Sequence, residues 1–70
     1  MFDKEYFRLH LRDLRKARGN SIEEVADAIG VKRPTVNRYE TGTILPSISA
    51  LWRLADYFDV SLDELVGRKH

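Results

Sequence analysis

Residues 21–42 read SIEEVADAIGVKRPTVNRYETG, and this stretch decides the fold. Ser21 is followed three residues later by Glu24, the spacing of a capping box. The hydroxyl can accept from an early helical N–H while the carboxylate reaches back to the cap's own N–H. Val25, Ala26 and Ile29 then recur at helical spacing. Ala26 is small, as a close helix crossing requires. Gly30 stands just past the last apolar residue, where helices often turn through left-handed backbone that glycine adopts without a Cβ penalty. Val31 anchors the turn. A second helix is predicted over 33–41, closed by Gly42, with Val36 and Tyr39 as its core residues.

On a helix turning about 100° per residue, Arg33, Pro34, Asn37, Arg38 and Thr41 share one arc of roughly 140°. Val36, Tyr39 and Glu40 fall outside it. One side therefore packs, and the other offers Arg33, Asn37 and Arg38. Arginine pairs bidentately with guanine edges and asparagine with adenine. Two short helices joined by a glycine turn, the second basic on its outer side, make a helix-turn-helix pattern whose chemistry is DNA recognition. Solvation alone would explain such a face on an isolated helix. The preceding helix, the turn and the packing positions favour the DNA reading here.

Seventy residues allow one domain, expected to span 1–70. A chain this short buries only about 60% of its unfolded surface, so modest stability is expected. It has no cysteine, hence no disulfide and no thiolate site. The charged start, Met1 to Glu5, lacks an apolar signal region, and no apolar run approaches a membrane span. A cytoplasmic protein without membrane association is the expectation. The net charge is only +1, but it is unevenly spread. Residues 1–38 hold nine basic and six acidic side chains, against three and five in residues 39–70. Such a dipolar domain can turn its positive side to phosphate.

Around the central motif the same reasoning gives three further helices. The first, over about 3–18, carries a stripe of Phe7, Leu11 and Leu14 with the aliphatic stem of Arg18, and ends at Gly19-Asn20. Phe2, Tyr6 and Leu9 form a second stripe nearly opposite, expected to be covered by another helix. After the connector Thr43-Ile44-Leu45-Pro46, Ser47 caps a helix over 48–58. Its buried stripe is expected to be Ile48, Leu51, Ala55 and Phe58, with Leu54 beside them, Trp52 at the edge and Tyr57 well off it. A last helix over 62–66 starts from a second capping box, Ser61 and Glu64, and carries Leu62, Leu65 and Val66. A polar tail over 67–70 follows. The fold class is all-α: five helices around Phe7, Leu11, Leu14, Val25, Ile29, Val36, Leu51, Phe58, Leu62 and Leu65.

The whole pattern resembles the Cro and phage-repressor (XRE-type) helix-turn-helix family. The resemblance is carried by Leu14-Arg15 with Gly19, Ser21-x-Glu23-Glu24-Val25-Ala26, Gly30-Val31, Val36-x-x-Tyr39-Glu40-x-Gly42, Pro46-Ser47 and Val60-Ser61-Leu62-Asp63-Glu64-Leu65. It extends over about residues 7–67 and implies a lambda-repressor-like domain that binds double-stranded DNA, commonly as a homodimer on a palindromic operator. By position it implies that Arg33, Pro34 and Arg38 face bases, with Asn37 next to them, and that Thr41 and Thr43 lie near phosphates. It also implies an internal ion pair between Arg15 and Glu40. Three positions depart from the family. Ile22 stands where many members carry glutamine, which contacts backbone and base. Lys32 stands where a serine or threonine usually caps the recognition helix. The connector holds Ile44 and Leu45 where basic residues are common, which predicts fewer phosphate contacts and a shallow salt dependence. Pro34 suits a first turn but disfavours helical geometry at Arg33, which predicts a helix that begins one residue late.

The expected mechanism is major-groove reading by Arg33, Asn37 and Arg38, with Pro34 against a thymine methyl. Ser21, Lys32, Thr35, Thr41, Thr43 and Ser47 are the candidates for phosphate contacts. Trp52, Leu62, Asp63, Glu64 and Val66 are candidates for the dimer interface, and Phe2, Tyr6 and Leu9 are a rival surface. The alternative is a protein-interaction module, for example an antitoxin-like partner, with little DNA binding. Its support is the low net charge and the apolar connector. Catalysis is not expected: His10 and His70 have no second ligand at metal spacing, and Asp56, Asp59, Asp63 and Glu64 read as solvated helix charges. No cofactor or small-molecule motif is present in the sequence.

Overall fold

The computed structural model describes residues 2–67. The tail residues Arg68, Lys69 and His70 lie outside the described residues. Five helices follow one another: α1 Lys4–Ala17, α2 Ile22–Ile29, α3 Arg33–Thr41, α4 Ile48–Phe58 and α5 Leu62–Val66. Most begin at a side chain that satisfies an orphan N–H, as helix ends require. Asp3 accepts from the Tyr6 N–H at 3.0 Å. Ser47 accepts from Ala50 at 3.1 Å and Ser61 from Glu64 at 3.0 Å. Ser21 forms the reciprocal box: its Oγ accepts from the Glu24 N–H at 3.0 Å, and Glu24 Oε1 accepts the Ser21 N–H at 2.8 Å. These bonds, that from the Ser21 backbone first, hold the Glu24 carboxyl below its ordinary range.

Among the described helices only α3 starts without a side-chain cap, at Lys32. The late start expected from Pro34 does not occur, because helical geometry already holds at Arg33. The Thr35 N–H donates to the Lys32 carbonyl at 2.9 Å and closes a tight first turn. Pro34 sits in that turn, where its missing N–H has no intrahelical partner to lose. Between α2 and α3 the chain reverses at Gly30, whose φ of +75° is left-handed. There the Val31 N–H closes on the Ala26 carbonyl at 3.0 Å.

The core is built from Phe7, Leu11, Val25, Ala26, Ile29, Val36, Tyr39, Ala50, Leu54, Ala55 and Leu65. Leu14, Leu51, Phe58 and Leu62, expected as main members, are half-buried around it. The largest correction is on α4. Ile48 is 81% exposed, while Leu54 is fully buried. The buried side is centred on Ala50, Leu54 and Ala55, a rotation of roughly 50° from the expected stripe. Neighbours set that rotation, since α4 leans on α2 and α5. Tyr57, expected off the stripe, is half-buried, and its hydroxyl donates to Asn20 Oδ1 at 2.9 Å. Arg18, expected at the end of the α1 stripe, is exposed. Its guanidinium stacks 4.2 Å above the Tyr57 ring and donates to the Tyr57 carbonyl. The Phe2, Tyr6 and Leu9 stripe is covered only in part. The Phe2 ring leans on Phe7, and Tyr6 lies where a Cβ on Gly67 would strike it.

Candidate nucleic-acid interface

The motif helix α3 is fixed from behind before it can present anything in front. It packs on α1 and α2 through Val36 and Tyr39. Burial pushes the Tyr39 phenol up from its usual range. Behind it, Arg15 of α1 grips Glu40 as a two-pronged fork, Nε to Oε2 at 2.6 Å and Nη2 to Oε1 at 3.0 Å. The third guanidinium nitrogen, Nη1, donates to the Asn20 carbonyl at 3.0 Å. This pair is largely shielded, with 13% of the Arg15 side chain and 7% of the Glu40 side chain exposed. The hydrogen bonds it donates to Glu40 hold the Arg15 guanidinium above its ordinary range. A bidentate fork fixes orientation as well as distance, so it sets the angle at which α3 leaves the globule.

On the opposite side Arg33, Pro34, Asn37 and Arg38 are all exposed. Among the described residues, no hydrogen bond or ion pair holds the side chain of Arg33, Asn37 or Arg38. Three of them, Arg33, Pro34 and Asn37, join Ile22 of α2 around an open recess of about 340 Å³. The helix is nine residues long, about 13 Å, comparable to the width of a major groove.

The expected phosphate residues fall into two groups. Lys32 is exposed at the start of α3, and Thr35 is half-buried beside it. Thr41 and Thr43 meet at the other end, Oγ1 to Oγ1 at 2.8 Å, with Thr41 also donating to the Arg38 carbonyl at 3.2 Å. Ser21 and Ser47 both accept cap bonds, so only their O–H is left to reach an anion.

A second surface is apolar. Leu45, Ile48 and Trp52 are 51%, 81% and 58% exposed. Trp52 also borders a groove of about 240 Å³ with Ala55, Asp56, Val60, Ser61 and Leu62. The groove brings Trp52 and Leu62 together. Of the other interface candidates, Asp63 and Val66 are half-buried and Glu64 is exposed, and none lines this groove. Among the described residues there is no group of three His, Cys, Asp or Glu side chains that could hold a metal. No described helix is long and apolar enough to cross a membrane.

Residues 11–65 match the helix-turn-helix family. The chain belongs to that family, in its Cro and phage-repressor (XRE-type) branch. It is similar to the HTH-type transcriptional regulator AnsR of Bacillus subtilis, 44% identical over 59 residues, which are 84% of this chain and 51% of AnsR. Among solved structures it resembles a transcriptional regulator from Listeria innocua, with a TM-score of 0.86 and 39% identity over 91% of this chain and 60% of that one. It also resembles the restriction-modification controller protein C.AhdI from Aeromonas hydrophila, with a TM-score of 0.82 and 35% identity. That match covers 90% of this chain and 91% of C.AhdI. The chain thus spans about half the length of AnsR and nearly all of C.AhdI.

Within this helix-turn-helix, two features escape a reading of single helices. Arg53 of α4 donates to the Ile29 carbonyl at 3.1 Å, closing the C-terminal end of α2 just before the turn. Ile22, which the sequence marks only as a missing glutamine, is a wall of the recess in front of α3. Neither has a local signal, because each depends on how two helices lie together.

Proposed function

We propose that this protein is a cytoplasmic, sequence-specific DNA-binding transcription regulator that lays α3 in the major groove and works as a homodimer on a palindromic operator. The observation that carries the proposal is the two-sidedness of α3. Its rear is locked by Val36, Tyr39 and the Arg15–Glu40 fork, while Arg33, Asn37 and Arg38 stand outward with no partner among the described residues. In this reading Arg33 and Arg38 pair with guanine edges, Asn37 reads adenine and Pro34 touches a thymine methyl. Lys32, Thr35, Thr41, Thr43 and the hydroxyls of Ser21 and Ser47 set register on phosphates.

Self-association supplies what one domain lacks. A single module of this size covers roughly 600–1,000 Å² on DNA, which is thin for high specificity. The exposed Leu45, Ile48 and Trp52, and the groove that Trp52 shares with Leu62, support a second copy as the occupant of this side. The same apolar surface favours one rival reading, a module whose partner is another protein.

Selection of bound duplexes from a random pool, followed by anisotropy titration at two salt concentrations, tests the proposal. The expected result is a two-fold symmetric site, with affinity falling as salt rises by about 0.9 log units per log unit of salt for each phosphate contacted. No enriched sequence, or binding indifferent to salt, overturns the DNA reading. An asymmetric single half-site with a monomeric sedimentation mass on DNA overturns the dimer.

A further inference from the structure

We propose that Ile22, together with Pro34, forms a reader for the 5-methyl group of one thymine in each half-site. This rests on the regulator reading above and names a base for a residue that reading leaves idle. The recess in front of α3 has a mixed lining: Ile22 and Pro34 are apolar, while Arg33 and Asn37 are polar. Ile22 is the first residue of α2 and is half-buried, its inner side packed against the core. Its remaining surface therefore has a fixed position. Neither Ile22 nor Pro34 offers a side-chain hydrogen-bond group. A polar base edge pressed on them would lose water without replacement. An apolar group would not.

The major groove presents one apolar group only, the thymine C5 methyl. Arg33 and Asn37 border the same recess, so a base pair read there also meets hydrogen-bonding groups at its rim. The pocket then discriminates thymine from cytosine, which has hydrogen at C5, at a base pair adjoining those read by Arg33 and Asn37. In this chain the first residue of α2 acts as a specificity residue through an apolar contact.

The test uses the selected operator with each thymine replaced, one at a time, by deoxyuridine, which removes only the methyl. Dissociation constants are measured for the wild-type protein, Ile22→Ala and Ile22→Val. The thymine-to-uracil ratio is taken within each protein, so any loss of folded fraction in Ile22→Ala cancels. Wild type is expected to lose about fourfold at one thymine per half-site, the effect of one buried methyl. Ile22→Val, which keeps the branched surface, should keep most of that preference, and Ile22→Ala should bind both duplexes nearly equally. If the operator requires no thymine or wild type ignores every replacement, the inference falls together with the Pro34 contact, while groove reading by Arg33, Asn37 and Arg38 stands. If Ile22→Ala keeps the full fourfold ratio, only the role of Ile22 is wrong. If selection enriches no sequence at all, both fall.

Discussion

Helices α3 and α4 are nearly alike on their inner sides and opposite on their outer ones. Each presses a short apolar stripe into the shared core, Val36 and Tyr39 from α3, Ala50, Leu54 and Ala55 from α4. Outside, α3 shows Arg33, Asn37 and Arg38, whereas α4 shows Ile48 and Trp52. Hydrated polar side chains cost little on a surface and gain when a phosphate or base edge replaces water. Exposed large apolar side chains gain only when another apolar surface arrives. Two helices of one small globule are thereby suited to different kinds of partner, one to nucleic acid and one to protein.

The sharpest way to break this division is to cut the two sides of α4 separately. Leu54→Ala is expected to lower stability by about 3–4 kcal/mol, because the fully buried site leaves a cavity. Ile48→Ala, six residues earlier on the same helix, should change the monomer by less than about 0.5 kcal/mol. Urea unfolding of both at a concentration too low for association measures the difference, and equal losses would dissolve the distinction between inside and outside. On α3 the inner anchor is partly ionic. Arg15→Met removes the fork and leaves Glu40 shielded without its cation, with an expected cost of about 3 kcal/mol. The cost is at the low end for a buried pair because 13% of the Arg15 side chain remains in solvent. A melt unchanged by Arg15→Met would show that α3 does not depend on that clamp.

The limits of the helices were legible because capping residues and glycines punctuate the chain. Ser21, Ser47 and Ser61 cap the helices they were expected to cap, and α1 shifts by a single residue at each end. The rotation of α4 was not legible. Ile48, Leu51, Trp52, Leu54, Tyr57 and Phe58 ring so much of that helix that no stripe is unique, and contacts with α2 and α5 choose one. The Arg15–Glu40 pair joins residues 25 apart and leaves no local trace. Only the family resemblance pointed to it. The outward arc of α3 was legible from its own periodicity, since Val36 and Tyr39 leave one possible buried side. The recess at Ile22 was not, because half of it belongs to another helix.

The outer surfaces give intermediate effects that should separate cleanly. Trp52→Ala is expected to weaken self-association by about 2 kcal/mol, in line with truncating a central interface aromatic. The isolated fold should hardly notice. Sedimentation equilibrium checks this, and a dimer unaffected by Trp52→Ala would move the interface to the Phe2, Tyr6 and Leu9 surface. Arg38→Ala should leave both the melt and the dimer intact. It is expected to weaken operator binding by about 1–3 kcal/mol and to relax preference at one base pair. Uniform weakening across all sequences would instead make Arg38 a phosphate contact.

The smallest effect lies where the two helices begin. Ser47 caps α4, and Ser47→Ala should cost about 1 kcal/mol. Lys32 starts α3 with no side-chain cap, although its φ of −83° and ψ of 152° match the extended geometry seen at Ser21 and Ser47. Lys32→Ser therefore offers a hydroxyl in the right place. Pro34 supplies no N–H, and the Thr35 N–H already bonds the Lys32 carbonyl, so the gain should reach only about 0.5 kcal/mol. On DNA the same change removes a cation. The log–log salt slope should become shallower by about 0.9, the contribution of one phosphate. A variant more stable yet less salt-dependent in binding would show that the start of α3 trades a cap for a charge. If Lys32→Ser leaves the slope unchanged, Lys32 reaches no phosphate, and the absent cap has no explanation in DNA binding.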